Sequence, residues 1–379
     1  MNGNPFQYGL IADTAAFADR EPELQALTSD IRNGQDVVVL GRRRFGKSSL
    51  LFRAADRLRR QGVLIAYVDV MAAPTKDRLA SALAQTIHAG IATPLMRARR
   101  RALGVFRDLR LQPTVTLKPD DASVSFTFAP GHDQQAVDAT IVDLLELAGR
   151  LGAERDRRVA LVFDEFQEIV DLDPHYPRIF RSIFQHQRGV SHVYLGSKRH
   201  LMDRLFNDRN EPFWRSAKQI ELGPIGAEHF APFVLRRFAD TDRAIEDGTL
   251  GRLLGLTAGH PYATQQLCYF LWEEVPEGFR AGPPDLERAL RGVLAAENAH
   301  FDLVWEQATR NERQLLLALG REPGRPYTVD YRRRHGLTSA SHVQRSLRSL
   351  QRRELVRRRE DDLYELAEPF LPAWLERLR

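Results

Sequence analysis

The chain contains one cysteine, Cys268, and 5 lysines beside 50 arginines. One thiol cannot form an internal disulfide, and this one lies in an apolar run, Leu267-Cys268-Tyr269-Phe270-Leu271. It reads as a small buried hydrophobe, without a reactive role, and a reducing cytoplasm fits. No Cys/His spacing of a metal site occurs. No stretch of eighteen apolar residues occurs, and Met1-Asn-Gly-Asn-Pro lacks a basic segment leading into an apolar one. Membrane spans and a secretory signal are therefore not expected. Internal repeats and low-complexity linkers are missing too. The scarcity of lysine looks like a coding bias, so only the clustering of arginine carries information.

At 379 residues, 43% hydrophobic and 28% charged, the chain has a soluble globular balance and exceeds one comfortable core. Two or three domains are expected. Its net charge of +5 is uneven, because residues 310–379 hold 16 Arg against 10 Asp and Glu. A polyanion-binding surface would lie at that end.

Residues 36–51 read Asp-Val-Val-Val-Leu-Gly-Arg-Arg-Arg-Phe-Gly-Lys-Ser-Ser-Leu-Leu. Gly41, Gly46, Lys47 and Ser48 satisfy the G-x-x-x-x-G-K-[ST] pattern of a phosphate-binding loop. Val37 to Leu40 form an apolar run suited to a buried parallel strand, and Ser48 through Arg60 carry apolar residues at helical spacing. Strand, glycine loop and helix start build a nest of backbone N–H groups at a positive helix end. There Gly41, Arg43, Arg44, Phe45, Gly46, Lys47, Ser48 and Ser49 would contact nucleotide. Lys47 would reach the β and γ phosphates of ATP or ADP, and the Ser48 hydroxyl would ligate Mg²⁺.

Val159-Ala-Leu-Val-Phe163 is a second apolar strand that ends in Asp164-Glu165. A carboxylate at the end of a buried strand needs a partner to offset its desolvation. Beside a phosphate loop that partner is a Mg²⁺-bound water, so Asp164 would organise the metal, where in another setting the Asp-Glu pair would cap a helix. Glu165, one residue on, would act as general base on the attacking water. Val193-Tyr-Leu-Gly-Ser197 ends a third strand in a small hydroxyl. Ser197 either senses the γ-phosphate or caps the following helix. Lys198, Arg199, Arg178 and Arg181 are candidates for a γ-phosphate or trans-subunit contact, and each alone also reads as a surface charge.

Around these motifs the pattern predicts a helix starting near Glu21 and a strand at Val63–Asp69. Residues 76–110 are expected to be helical, with a basic run at Arg97, Arg99, Arg100 and Arg101 that reads as a solvated face. Period-two alternation at Thr114–Leu117 and Ser123–Phe128 around a Lys118-Pro-Asp-Asp turn predicts an inserted hairpin. Helices near 134–151 and 175–188 and strands at Val190–Leu195 and Gln219–Leu222 complete a doubly wound parallel sheet. From about 226 strands vanish, and helical patterns break at Gly259-His260-Pro261 and Gly282-Pro283-Pro284. From Arg310 the order helix, short helix, helix 339–353 and extended stretch Val356–Leu366 fits a winged helix-turn-helix. The expected fold class is α/β: a P-loop NTPase core at 1–225 with the hairpin inserted at 113–129, a helical lid at 226–304, and a winged helix at 305–379.

Taken in order, Asn4-Pro5-Phe6, Tyr8-Gly9, Arg20-Glu21, the loop Gly41–Leu50, Phe163-Asp164-Glu165-Phe166-Gln167, Gly196-Ser197 and Gly259-His260-Pro261-Tyr262 resemble the archaeal-type AAA/STAND-like P-loop ATPases. The resemblance covers nearly the whole chain. It implies that Tyr8, Gly9, Ile11 and Pro261 contact the base and sugar. Ser48 stands where threonine is commoner and preserves the hydroxyl. No nuclease, protease or other effector motif follows the winged helix.

Two functions from different classes follow. One is a Mg²⁺-dependent ATPase acting as a regulatory switch, with nucleotide-dependent homo-oligomers and slow hydrolysis consistent with it. The other is an ATP-dependent loader or remodeller that binds duplex DNA through the winged helix. Arg345, Arg348 and Arg352 share one face of helix 339–353 and suit phosphate or base contact. Against this, the arginines could pair with Asp361, Asp362 and Glu365, leaving the winged helix for a protein partner. A nucleotide kinase is not supported, because no acceptor site is evident.

Overall fold

The computed structural model describes residues 3–11, 17–95, 99–117, 124–128, 131, 133–337, 339–359 and 361–378. Arg97, the Lys118–Asp121 turn and Ser123 lie outside these residues, as do the side chains of Arg99 to Arg101. The chain divides into two compact units, Arg20–Gly223 and Met1–Asp19 with Pro224–Arg379.

The first unit is built on β1 (Val37–Gly41), β2 (Leu64–Asp69), β5 (Val159–Asp164), β6 (Val190–Gly196) and β7 (Lys218–Leu222), in spatial order β2-β5-β6-β1-β7. All four pairings are parallel. Parallel strands covered by helices on both faces have no wet side; β1 is accordingly apolar, β5 is apolar up to Asp164, and every residue of β5 and β6 is buried, Ser191 and His192 of β6 included. An additional strand, β6, thus separates the strand before the phosphate loop from the strand before Asp164-Glu165. The carboxyl ends Gly41, Asp69, Asp164 and Gly196 line up along one edge, where ligands of open α/β sheets bind. The core beneath is aromatic: Phe163, Phe166, Phe180, Phe184, Tyr194, Phe206 and Phe213 pack ring against ring.

Glu21–Arg32 forms the expected first helix, entered through Arg20 in a left-handed conformation, with Glu21 and Glu23 at its positive end. Arg57, on helix Lys47–Arg60, forks onto Glu21 at 2.9 and 3.0 Å. That pair is exposed and contributes little stability. The hairpin is present as β3 (Thr114–Leu117) and β4 (Val124–Thr127), antiparallel, with Phe126 buried against Phe106 and His88.

One continuous helix over 76–110 does not form. Helix Lys76–Ile87 passes into a π-helical turn, His88–Ala92, and helical structure ends at Gly104. Gly90 explains the break: a Cβ there would lie 1.9 Å from the Ile65 carbonyl oxygen, so the turn lies directly on β2.

In the second unit helices Ala227–Ala239, Asp247–Thr257, Pro261–Glu274, Pro283–Ala296 and Asn298–Glu306 share one hydrophobic cluster with the C-terminal segment. Strands do not wholly vanish after 226: β8 (Ala244–Ile245) and β9 (Arg280–Ala281) form a two-residue parallel pair, too short for any periodicity to register. Phe6 is 1% exposed among Phe233 and Phe238, so the N-terminal segment, counted with the core in the sequence reading, packs with this unit instead. An apolar residue in a stretch without periodicity does not say which core receives it. Both expected breaks have a physical cause. Gly259 has a φ of +69° and its carbonyl accepts from Ile225 N at 2.9 Å; Gly282 N donates to the Asp285 carboxylate at 2.8 Å ahead of Pro283, which starts the next helix.

The C-terminal fold is a winged helix: helices Arg310–Arg321, Val329–Arg334 and Ala340–Arg352, then β10 (Val356–Arg358) and β11 (Tyr364–Leu366) as an antiparallel wing. Among the described residues no helix is long and apolar enough to cross a membrane. Cys268 is fully buried, and burial pushes its thiol well above the ordinary range.

Candidate active site

The loop after β1 turns through Arg44, at φ +66°, and Gly46, at φ +85°, before helix Lys47–Arg60 begins. A left-handed backbone at Gly46 is what lets successive N–H groups converge. Phe45 is buried, while Arg43 and Arg44 are exposed. Lys47 is buried, and its Nζ donates to the carbonyls of Gly41 (2.8 Å) and Arg42 (3.1 Å). The ammonium is therefore held at the mouth of the loop.

Ser48 Oγ donates to Asp164 Oδ2 at 3.2 Å, which joins the two expected metal residues across 116 positions of sequence. The same oxygen accepts from Tyr67 OH at 2.6 Å, and Asp164 Oδ1 accepts from Glu165 N at 3.0 Å. Burial, then the bond to Asp164, raises the Tyr67 pKa well above its ordinary value, so this hydroxyl remains a donor. Among the described residues no cluster of three or more His, Cys, Asp or Glu could hold a metal. A hydroxyl and one carboxylate suit Mg²⁺ that completes its shell with phosphate oxygens and water, so the residues present fit that ion.

Glu165 itself is left-handed, at φ +49°. Its Oε2 accepts from Ser197 Oγ (2.8 Å), Ser197 N (3.1 Å) and Gln167 Nε2 (2.6 Å). Burial pushes the carboxyl up, but bonds from Gln167 and Ser197 and the charge of Lys47 outweigh it and hold the pKa below its ordinary value. Glu165 is therefore an anion near neutral pH. Lys198, not Ser197, is the N-cap of the following helix, and the Ser197 hydroxyl donates to Glu165.

Of the cationic candidates, Lys198 pairs with Glu168 at 2.7 Å, and Arg199 pairs with Glu221 and, at 3.6 Å, with Asp203. Arg178 is exposed and Arg181 half-buried, with no ion pair of either recorded among the described residues. Tyr8, Gly9, Ile11 and Pro261 belong to the other unit, where Tyr8 packs edge-on against Tyr262 and Tyr269 and Pro261 starts a helix. Two residues at the acidic pair went unassigned in the sequence: Tyr67 and Gln167. Tyr67 sat in an apolar strand whose register against Asp164 no local pattern encodes. Gln167 carried a signal, being an amide beside Phe166 in an otherwise apolar and acidic stretch.

A sequence profile described as "ATPase domain predominantly from Archaea" matches residues 17–267, and one described as "Probable winged helix domain" matches residues 299–377. A Walker-type ATPase of Pyrococcus abyssi superposes with a TM-score of 0.64 at 18% identity, covering 96% of this chain and 97% of that one. The ORC2 protein of Aeropyrum pernix in its ADP form gives a TM-score of 0.50 at 14% identity, over 99% and 98% of the two chains. At these identities the likeness is one of fold. An uncharacterized WD repeat-containing protein of Synechocystis is 26% identical over 288 residues, which are 73% of this chain and 22% of that protein. The chain thus spans about a fifth of the curated relative it matches.

Proposed function

Because the chain belongs to the family of ATPase domains found predominantly in Archaea, we propose that it hydrolyses ATP with Mg²⁺ as a regulatory switch, nucleotide state governing the lid and winged helix. The observation that carries this reading is the meeting of Ser48 with Asp164 and of Glu165 with Ser197 at one sheet edge. Lys47 and the loop amides bind the β and γ phosphates, and Ser48 and Asp164 hold the metal. When bound, Mg²⁺ neutralises charge on the phosphates. Glu165 takes a proton from water as the water oxygen bonds the γ-phosphorus and the bond to the bridging oxygen breaks, leaving ADP and phosphate. Ser197 reports the γ-phosphate through its bond to Glu165. The assignment of Tyr8, Gly9, Ile11 and Pro261 to base and sugar rests on the family resemblance.

A switch changes state with its ligand. Sedimentation with a non-hydrolysable ATP analogue and with ADP is expected to give different assemblies or shapes. Identical profiles in both, with the nucleotides shown to be bound, would remove the switch reading.

One observation favours a second reading, the loader or remodeller. Arg357, Arg358 and Arg359 of the wing pair with Glu365, Asp362 and Asp361, as the competing reading expected. Arg345, Arg348 and Arg352 are exposed, and no ion pair of theirs is recorded among the described residues. Tyr327 and Val329, 40% and 58% exposed, lie at the start of the preceding helix, Val329–Arg334. If this face binds duplex DNA, log affinity falls by about 0.9 per log unit of salt for each phosphate neutralised. Replacing the three arginines by Ala then lowers that slope by up to about three, with ATP binding intact. A weak response without salt dependence in the unmodified protein would end the DNA reading.

A further inference from the structure

Gln167 is 2% exposed and stands two residues beyond Glu165. Its Nε2 lies 2.6 Å from Glu165 Oε2 and 3.1 Å from Glu168 Oε1. Both partners are carboxylates, which only accept, so the NH₂ end of the amide must face them. The reverse orientation would set an amide oxygen against two anions. Glu168 is anchored in turn by Lys198 Nζ at 2.7 Å, which fixes the outer end of the chain of contacts. Among the described residues the buried amide oxygen has no hydrogen-bond partner, and it faces Gly196, where a Cβ would approach it to 2.7 Å. A buried polar atom left without a partner is unfavourable, and the site tolerates it only because the other end of the amide is so firmly held.

What the amide holds is the carboxylate assigned to water activation. Glu165 Oε2 is clamped between Gln167 on one side and the two donors of Ser197 on the other. Among the described residues its Oε1 takes no hydrogen bond. Without Gln167 the carboxylate would be held by Ser197 alone.

We propose that Gln167 is a positioning residue for hydrolysis, clamping Glu165 Oε2 so that Oε1 is presented to the water it deprotonates. The proposal rests on Glu165 as the base. It predicts that Gln167→Met, similar in length but without donors, lowers kcat by about tenfold to a hundredfold, the scale of a misplaced catalytic group. ATP affinity, set by the loop, stays within about twofold. In a Glu165→Gln background the same substitution should have almost no further effect, because there is no base left to position. A merely structural role would lower activity equally in both backgrounds. Gln167→Asn, one methylene too short to span both carboxylates, gives the same readout if Gln167→Met melts below the assay temperature. Wild-type kcat in the Gln167 variants beside an inactive Glu165→Gln overturns this proposal alone, as does an equal fall in both backgrounds. Wild-type turnover in Glu165→Gln overturns the base assignment, and the proposal with it.

Discussion

Replacing Lys47 by Ala is expected to weaken ATP binding by about 10²-fold or more while leaving the fold intact. The ammonium is held by two loop carbonyls, Gly41 and Arg42, at the point where the β and γ phosphates would bind. Each charge-assisted hydrogen bond from it is worth about 1.5–3 kcal/mol, and two such bonds account for the expected loss. Lys47 is buried at the loop, whereas Arg43 and Arg44 are exposed. Calorimetric titration with ATP and with ADP checks this, and the deficit should be larger for ATP, which has the γ-phosphate to lose. Wild-type affinity in the variant would remove the phosphate-loop assignment.

Glu165→Gln should separate binding from chemistry. The amide oxygen can go on accepting from Ser197 and Gln167, so the local structure and nucleotide affinity are expected to persist. Its NH₂ then occupies the position of the second carboxylate oxygen and cannot take a proton. Turnover is expected to fall by about 10²–10⁴-fold, the usual contribution of general base catalysis. A rate assay under saturating ATP and Mg²⁺ decides it, and turnover at the wild-type rate would reduce Glu165 to a structural anchor for Ser197.

The site was legible in the sequence to the extent that its chemistry is local. Gly41 to Ser49 and Phe163-Asp164-Glu165 are contiguous motifs whose strands announce themselves as apolar runs, because both faces of a parallel sheet are covered. Contacts that depend on strand order were not legible. Nothing in Val63–Asp69 shows that Tyr67 lies beside Asp164, since that follows from β2 pairing with β5 in one particular register. The role of Gln167 cannot be read from its position in the sequence, because an amide's task depends on which carboxylates surround it. The break in the helix over 76–110 was hidden for a related reason. Gly90 lies in a run of otherwise helix-compatible residues, and only the carbonyl of Ile65 shows why no side chain fits. Two-residue strands such as β8 and β9 fall below the length at which any period can be recognised.

The buried, weakly acidic thiol of Cys268 has a practical consequence for labelling chemistry. Thiol reagents attack the exposed thiolate, so the natural cysteine is inert on two counts. A cysteine introduced at a solvent-facing position would be modified selectively without mutating the native one first. Two such positions, one in each unit, would accept a donor and acceptor dye pair, and the intramolecular distance could be followed during single ATP turnovers.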